Sequence, residues 1–253
     1  MIWFRKRYIF YAGFIIFLTW WSLEQTEFEW AKFQQLSNAF TFINDRILPP
    51  DFSITSLLLH EAFVTLAIAF LGTFFALLIA LPISFASASN TCTNRLIYTW
   101  NRVVLSVLRS VPEIVFGLIF VVVVGLSPFA AVMAVFLHNI GVLGKLISEL
   151  IEAADEGPHE AMKSVGAKRH IASLFAIVPQ IWPNVLSHYF YRFEVAIRTS
   201  LVLGFIGGGG LGQQLFNQFQ SINYHAMATS IIFIMVLVIA VDLLGSYVRK
   251  RVI

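Results

Sequence analysis

Six long apolar stretches set the pattern of the chain: residues 8–21, 62–86, 112–126, 129–147, 181–206 and 226–247. A helix needs roughly 20 apolar residues, at 1.5 Å each, to cross the hydrocarbon of a bilayer. Each stretch therefore predicts a membrane-spanning helix, the first and third being short and extended by a few residues. Trp20, Trp21 and Trp30 suit a headgroup belt at the outer end of the first. The expected fold is all-α and polytopic, with about six transmembrane helices.

The pattern breaks between the fourth and fifth stretches, at "EGPHEAMKSVGAKRHIASLFAIVPQIWP", residues 156–183. Gly157 and Pro158 suit the N-cap and first position of a helix, and Glu160 in its first turn is favoured by the helix dipole. Gly166 can take the left-handed position after its last turn. A helix over 158–165 is about 12 Å long, too short to cross. A second short helix is expected over 168–178, ending at Pro179. Together they predict a projection with apolar positions at Met162, Val165, Ile171, Leu174 and Phe175, shaped to fit a groove on a partner.

Composition agrees with the membrane reading: 58% of the 253 residues are hydrophobic, 12% are charged, and mean hydropathy is +0.79. A soluble fold of this size needs far more charge to cover its surface. Thirteen of the 17 Lys and Arg fall where six spans place them on one side, at Arg5, Lys6, Arg7, Arg95, Arg102, Arg109, Lys145, Lys163, Lys168, Arg169, Arg249, Lys250 and Arg251. By the positive-inside rule that side is the cytoplasm, with both termini on it. The basic balance is thus a matter of topology and predicts no nucleic-acid partner. The N-terminal apolar run lacks a small-x-small cleavage site and is expected to be a retained anchor. Cys92, alone, permits no intrachain disulfide.

No internal repeat is evident, which disfavours secondary transporters built from two related halves. No Gly-x4-Gly-Lys-Ser/Thr phosphate loop occurs. Any ATP, with its Mg, must therefore be bound and hydrolysed by another subunit, and the chain itself is expected to hold no cofactor. No His, Cys or carboxylate pair has convincing metal spacing.

Glu160, Ala161 and Met162, with Gly166 six positions after the Glu and Pro179 thirteen after the Gly, resemble the EAA loop of permease subunits of bacterial ATP-binding-cassette importers. The chain departs from that pattern at Met162 for Ala, Ala176 for Ile and Val178 for Leu, all apolar. Glu152-Ala153-Ala154 is a decoy, since Pro158 stands where the motif requires Gly. "RSVPEIVFGLIF" (109–120) and "FIGGGGLG" (205–212) resemble the methionine-importer type of permease fold. "LPPDFS" (48–53), "SPFAAVMAVFLHNIGVLGKLISELIEA" (127–153) and "YRFEVAIRTSLVLGFIGGGGLG" (191–212) resemble the phosphonate-import permeases.

The resemblance implies a non-catalytic permease subunit in the bacterial cytoplasmic (inner) membrane. Residues 1–23 would be an extra span, 24–60 an extracytoplasmic loop and 61–253 the permease core, with the coupling loop at 156–180. It implies ABC ATPase subunits docking at Glu160, Ala161, Met162, Gly166, Ala167 and Pro179, an extracytoplasmic solute-binding protein, and a second permease copy or homologue. Phosphonate or a related phosphorus oxyanion is the implied substrate. A permease for methionine or another amino acid is the alternative, and an ion-coupled carrier or channel a second one. A membrane enzyme is disfavoured by the lack of a clustered acid, base or nucleophile.

Arg192, Glu194 and Arg198 interrupt the fifth stretch, and buried charge in a membrane must face protein or water. Two readings stand: a lining for an anionic substrate, whose oxygens suit a guanidinium, or an internal ion pair. Glu194 and Arg198, spaced i, i+4, have the orientation that pairs best along one helix face. Gly207, Gly208, Gly209, Gly210 and Gly212 read either as a flexible turn or, by the resemblance, as a gate loop. His138 is expected to bond between helices.

Overall fold

A computed structural model describes residues 6–252 as helices joined by short connections, with no strand among them. The chain divides between Leu48 and Pro49 into two units. The first holds α1 (Lys6–Gln25), a 3-10 turn (Trp30–Gln35), α2 (Leu36–Phe42) and a π turn (Ile43–Ile47). The sequence leaves 24–47 as loop, whereas most of it is helical, with Phe28, Trp30 and Phe33 in mutual ring contact.

The second unit runs through α3 (Thr55–Ser87), α4 (Arg95–Ser110), α5 (Glu113–Val124), α6 (Pro128–Ala153), α7 (Glu156–Ser164), α8 (Arg169–Ala172), α9 (Val178–Gly204), α10 (Gly210–Gln220) and α11 (Tyr224–Val252). Its start is fixed by the "LPPDFS" turn. Asp51 caps a 3-10 turn (Phe52–Ile54) by accepting from the Ser53 amide, and its own amide donates to the His225 carbonyl at the start of α11.

Among the described residues, three helical stretches are long and apolar enough to cross a membrane: Phe52–Ser87, Pro128–Ala153 and Tyr224–Arg251. A fourth is added when α4 and α5, bent by 87° at their junction, count as one span. The expected six are therefore not confirmed by length and composition. The apolar part of α1 is short, and α9 carries Arg192, Glu194 and Arg198 in its middle.

The sequence treats 87–111 as a basic connection; the structure makes most of it the amphipathic helix α4. Asn94 caps it by accepting from the amides of Leu96 and Ile97, and Leu105 is fully buried. The missing Pro112 N–H and the extended backbone at Val111 then end α4 and start α5 in a new direction.

The core forms where α3, α6 and α9 meet. One cluster joins Ala76, Ala80, Leu105, Leu143, Ile147 and Val185; the other joins Ile68, Ala131, Val135, Ala196, Ile197 and Leu203. Small residues let the backbones approach, as is usual where lipid supplies no hydrophobic drive between helices. A Cβ at Gly72 would lie 2.7 Å from Val135 Cγ1, so α3 and α6 could not close with any larger residue there.

Candidate functional site

The interrupted segment forms a projection. Its first helix, α7, begins earlier than expected: Asp155 is the N-cap, accepting from the Gly157 amide, and Gly157 and Pro158 lie inside the first turn. The end is as predicted. Gly166 has φ of +86°, its amide donates to the Lys163 carbonyl at 2.9 Å, and the Ala167 amide donates to Met162 at 3.1 Å. These two bonds are those of a Schellman cap, which satisfies carbonyls the helix would leave unpaired.

The second helix differs more. It does not stop at Pro179: α8 passes into a π turn (Ser173–Ile177) and on into α9, with Pro179 in the first turn of α9. A new helical register starts there, so the proline N–H is not needed.

The projection is tied at its base. The Asp155 amide donates to Gln180 Oε1 at 3.0 Å, and Gln180 Nε2 donates to the Asp155 carbonyl at 3.3 Å. His159, which sequence reasoning passed over, is the buried residue of α7 and lies 3.4 Å from the Ser173 hydroxyl. Burial holds its imidazole below the usual histidine range, with Lys163 and Arg169 adding to the effect. Glu160, Ala161 and Gly166 are exposed, Met162 and Ala167 half-buried. Val165, Leu174 and Phe175 present unpartnered apolar surface. The decoy Glu152 is occupied elsewhere: it accepts from the Ser89 amide and pairs with Arg102.

The charges of α9 do not pair along the helix. The expected Glu194–Arg198 pair is absent, because each side chain finds a closer partner on another helix. Glu194 pairs with Arg249 of α11, in space left by Gly245, where a Cβ would overlap the carboxylate. Arg198 pairs with Asp242 of α11, Nη2 donating to Oδ1 at 2.6 Å and Oδ2 at 2.8 Å.

Arg192 is buried. Its Nε and Nη2 donate to Asn139 Oδ1 at 2.8 and 2.6 Å, and Nη2 also donates to Glu113 Oε1 at 3.0 Å. Asn139 Nδ2 donates onward to Thr73 Oγ1 at 3.3 Å. His138 bonds between helices as expected, with Nδ1 3.0 Å from the Val111 carbonyl and Nε2 3.5 Å from Glu113. This network joins α3, α5, α6 and α9 and holds the α4–α5 bend.

The glycine run follows α9. Gly207, Gly209 and Gly210 have positive φ, and the chain reverses into α10, whose first turn is capped by Thr65: the Leu211 amide donates to its hydroxyl at 2.9 Å. Gly208 and Gly212 are also buried against backbone; a Cβ on Gly208 would lie 2.8 Å from the Leu203 carbonyl oxygen. The run is thus a packed turn between two helices.

Apolar helices long enough to span, with a capped polar loop between two of them, describe a helical membrane protein. The profile of the family described as "Binding-protein-dependent transport system inner membrane component" matches residues 72–253, and the chain belongs to this family, the permease components of ABC transport systems. The phosphite transport system permease protein PtxC of Stutzerimonas stutzeri is 36% identical over 204 residues, 81% of this chain and 74% of that protein. The phosphate-import permease protein PhnE of Mycolicibacterium smegmatis is 32% identical over 209 residues, 82% of this chain but 39% of that longer protein. A chain of the MetNI methionine ABC transporter in an inward-facing conformation superposes with a TM-score of 0.70 at 21% identity, covering 79% of this chain and 98% of that one. That likeness is one of fold.

Proposed function

We propose that this permease carries a small phosphorus oxyanion, phosphonate or phosphite, inward across the bacterial inner membrane, with both termini in the cytoplasm. The observation that carries the reading is the 36% identity to a phosphite permease across four-fifths of the chain. ATP and Mg are bound by partner ATPase subunits. Glu160, Ala161, Met162, Gly166 and Ala167 offer the exposed end of α7 to an ATPase cleft, and Pro179 lies where the projection passes into α9. The tie between Asp155 and Gln180 makes the loop stiff enough to pass on a push.

A solute-binding protein delivers the anion at the outer face, and a second copy or homologue of this chain completes the pathway. The turn at Gly207, Gly208, Gly209, Gly210 and Gly212 is its gate. Of Arg192, Glu194 and Arg198, the last is exposed and faces the pathway; the first two act as struts.

The test is uptake of labelled phosphite and methylphosphonate by cells producing this chain with its genomic neighbours, against cells lacking only this chain. Loss of uptake on deletion is expected. Unchanged uptake, with expression confirmed and no redundant importer, overturns the substrate reading.

A further inference from the structure

The three charges of α9 are not equally engaged. Arg192 is buried with two of its nitrogens bonded, and Glu194 is enclosed against Arg249. Arg198 meets Asp242 through Nη2 alone, while its Nε and Nη1 donate to no group among the described residues. The two side chains are 51% and 42% exposed.

Their position makes that exposure informative. Asp242 lies seven residues before Arg249, the first of the three basic residues that end α11, about 10 Å along the helix. With those basic residues at the headgroups, Asp242 lies inside a hydrocarbon layer about 30 Å thick, on the basic side of its middle. Ionised side chains at such depth face protein or a water-filled cavity, not acyl chains. Open guanidinium donors on such a face are placed to meet an anion.

We propose that Arg198 and Asp242 form a transient oxyanion site on a water-filled face of the transport pathway, in which Arg198 binds the anion and Asp242 keeps the binding weak. The inference rests on the importer reading above. An anion oxygen accepts from Nη1 or from Nε, one donor at a time, while Asp242 stays on Nη2, the nitrogen that both forks of the guanidinium share. A lone guanidinium would hold a phosphorus oxyanion by its full charge as well as by hydrogen bonds, and conduction requires a site weak enough to leave. The Asp242 carboxylate cancels the net charge and leaves hydrogen bonding as the attraction. Asp242 is thus a positioning and release residue.

The test uses the assembled transporter. Labelled phosphite binding to the purified complex without its binding protein is measured by equilibrium dialysis, and turnover in liposomes with the binding protein. Asp242→Asn is expected to tighten binding roughly tenfold and to slow turnover by a similar factor. Arg198→Gln is expected to abolish the binding. If Asp242→Asn slows turnover without tightening binding, the pair is a strut and the proposal falls.

A second measurement needs no transport. With Cys92→Ser as background, Arg198→Cys is combined with Asp242→Asn, so that no lone carboxylate is left, and exposed to a membrane-impermeant anionic thiosulfonate. Modification is expected; none from either face, with or without ATP, overturns the water-filled face. If the wild-type complex responds to no phosphorus oxyanion, the substrate reading falls and the oxyanion site with it. If it responds and Asp242→Asn changes neither binding nor turnover, only the role of the pair falls.

Discussion

Arg192 shows how a buried charge can be structural. Its guanidinium is held by Asn139 and Glu113 from two other helices, and Thr73 and His138 extend the set to a third helix and to the Val111 carbonyl at the break between α4 and α5. Breaking such a pair by removing one partner costs about 3–5 kcal/mol, because the other charge is left buried alone. Arg192→Met should therefore lower the thermal midpoint of the detergent-purified protein sharply. Adding Glu113→Gln should recover part of the loss, since no lone carboxylate remains. If the double variant is no better than the single one, the Arg192–Glu113 pair is not what holds the bend. None of these partners was legible in the sequence, where spacing alone favours Glu194 with Arg198. Helix periodicity reports neighbours on one helix; Asp242 and Arg249 lie 44 and 55 residues away along the chain.

At the scale of elements, the coupling projection was the most readable part, because its signals are local. The place of Gly166 after a short polar helix predicts its left-handed conformation, and its φ of +86° agrees. The start of α7 and the passage through Pro179 depart from the expectation for the opposite reason. Asp155 competes with Gly157 as a cap, and a π turn lets a helix continue into a proline, so neither outcome follows from composition. A non-glycine residue in the left-handed region costs about 1–2 kcal/mol, and asparagine tolerates it best. ATPase association should therefore fall in the order Gly166, Gly166→Asn, Gly166→Ala, Gly166→Val, as measured by co-purification. An order unrelated to left-handed tolerance would show that the Schellman cap does not set the loop.

His159 adds a pH dependence to the same element. Its ordinary pKa is 6.5, and burial lowers it in the folded loop, so the unfolded loop binds the proton more readily. The seating of α7 on Ser173 is thus full above pH 6.5 and is lost as pH falls from there through the lowered value. Hydrogen exchange of residues 156–166 should accelerate as pH falls below about 6.5, beyond the intrinsic chemical trend, and His159→Gln should remove the extra acceleration. Equal pH trends in both proteins would show that this imidazole does not control the loop.

For the whole molecule, the arginines and lysines predict an orientation that the apolar runs alone do not. Length and apolarity leave α1 and α9 below the mark for spans, whereas the charge asymmetry predicts one face for the α3–α4 connection, α7 and the end of α11. The proposed coupling depends on that orientation, since an ATPase meets α7 only if α7 lies on the cytoplasmic face. Cys92 lies in the α3–α4 connection, half-buried, with no other cysteine in the chain to confuse the readout. A membrane-impermeant maleimide should label it in inverted membrane vesicles and leave it unlabelled in right-side-out ones, with a replacement Cys92→Ser as the blank. Labelling only from the outer face would put α7 on the side away from ATP and remove the basis for coupling. Because α3 enters that connection directly from the span Phe52–Ser87, the same result also fixes the direction in which α3 crosses.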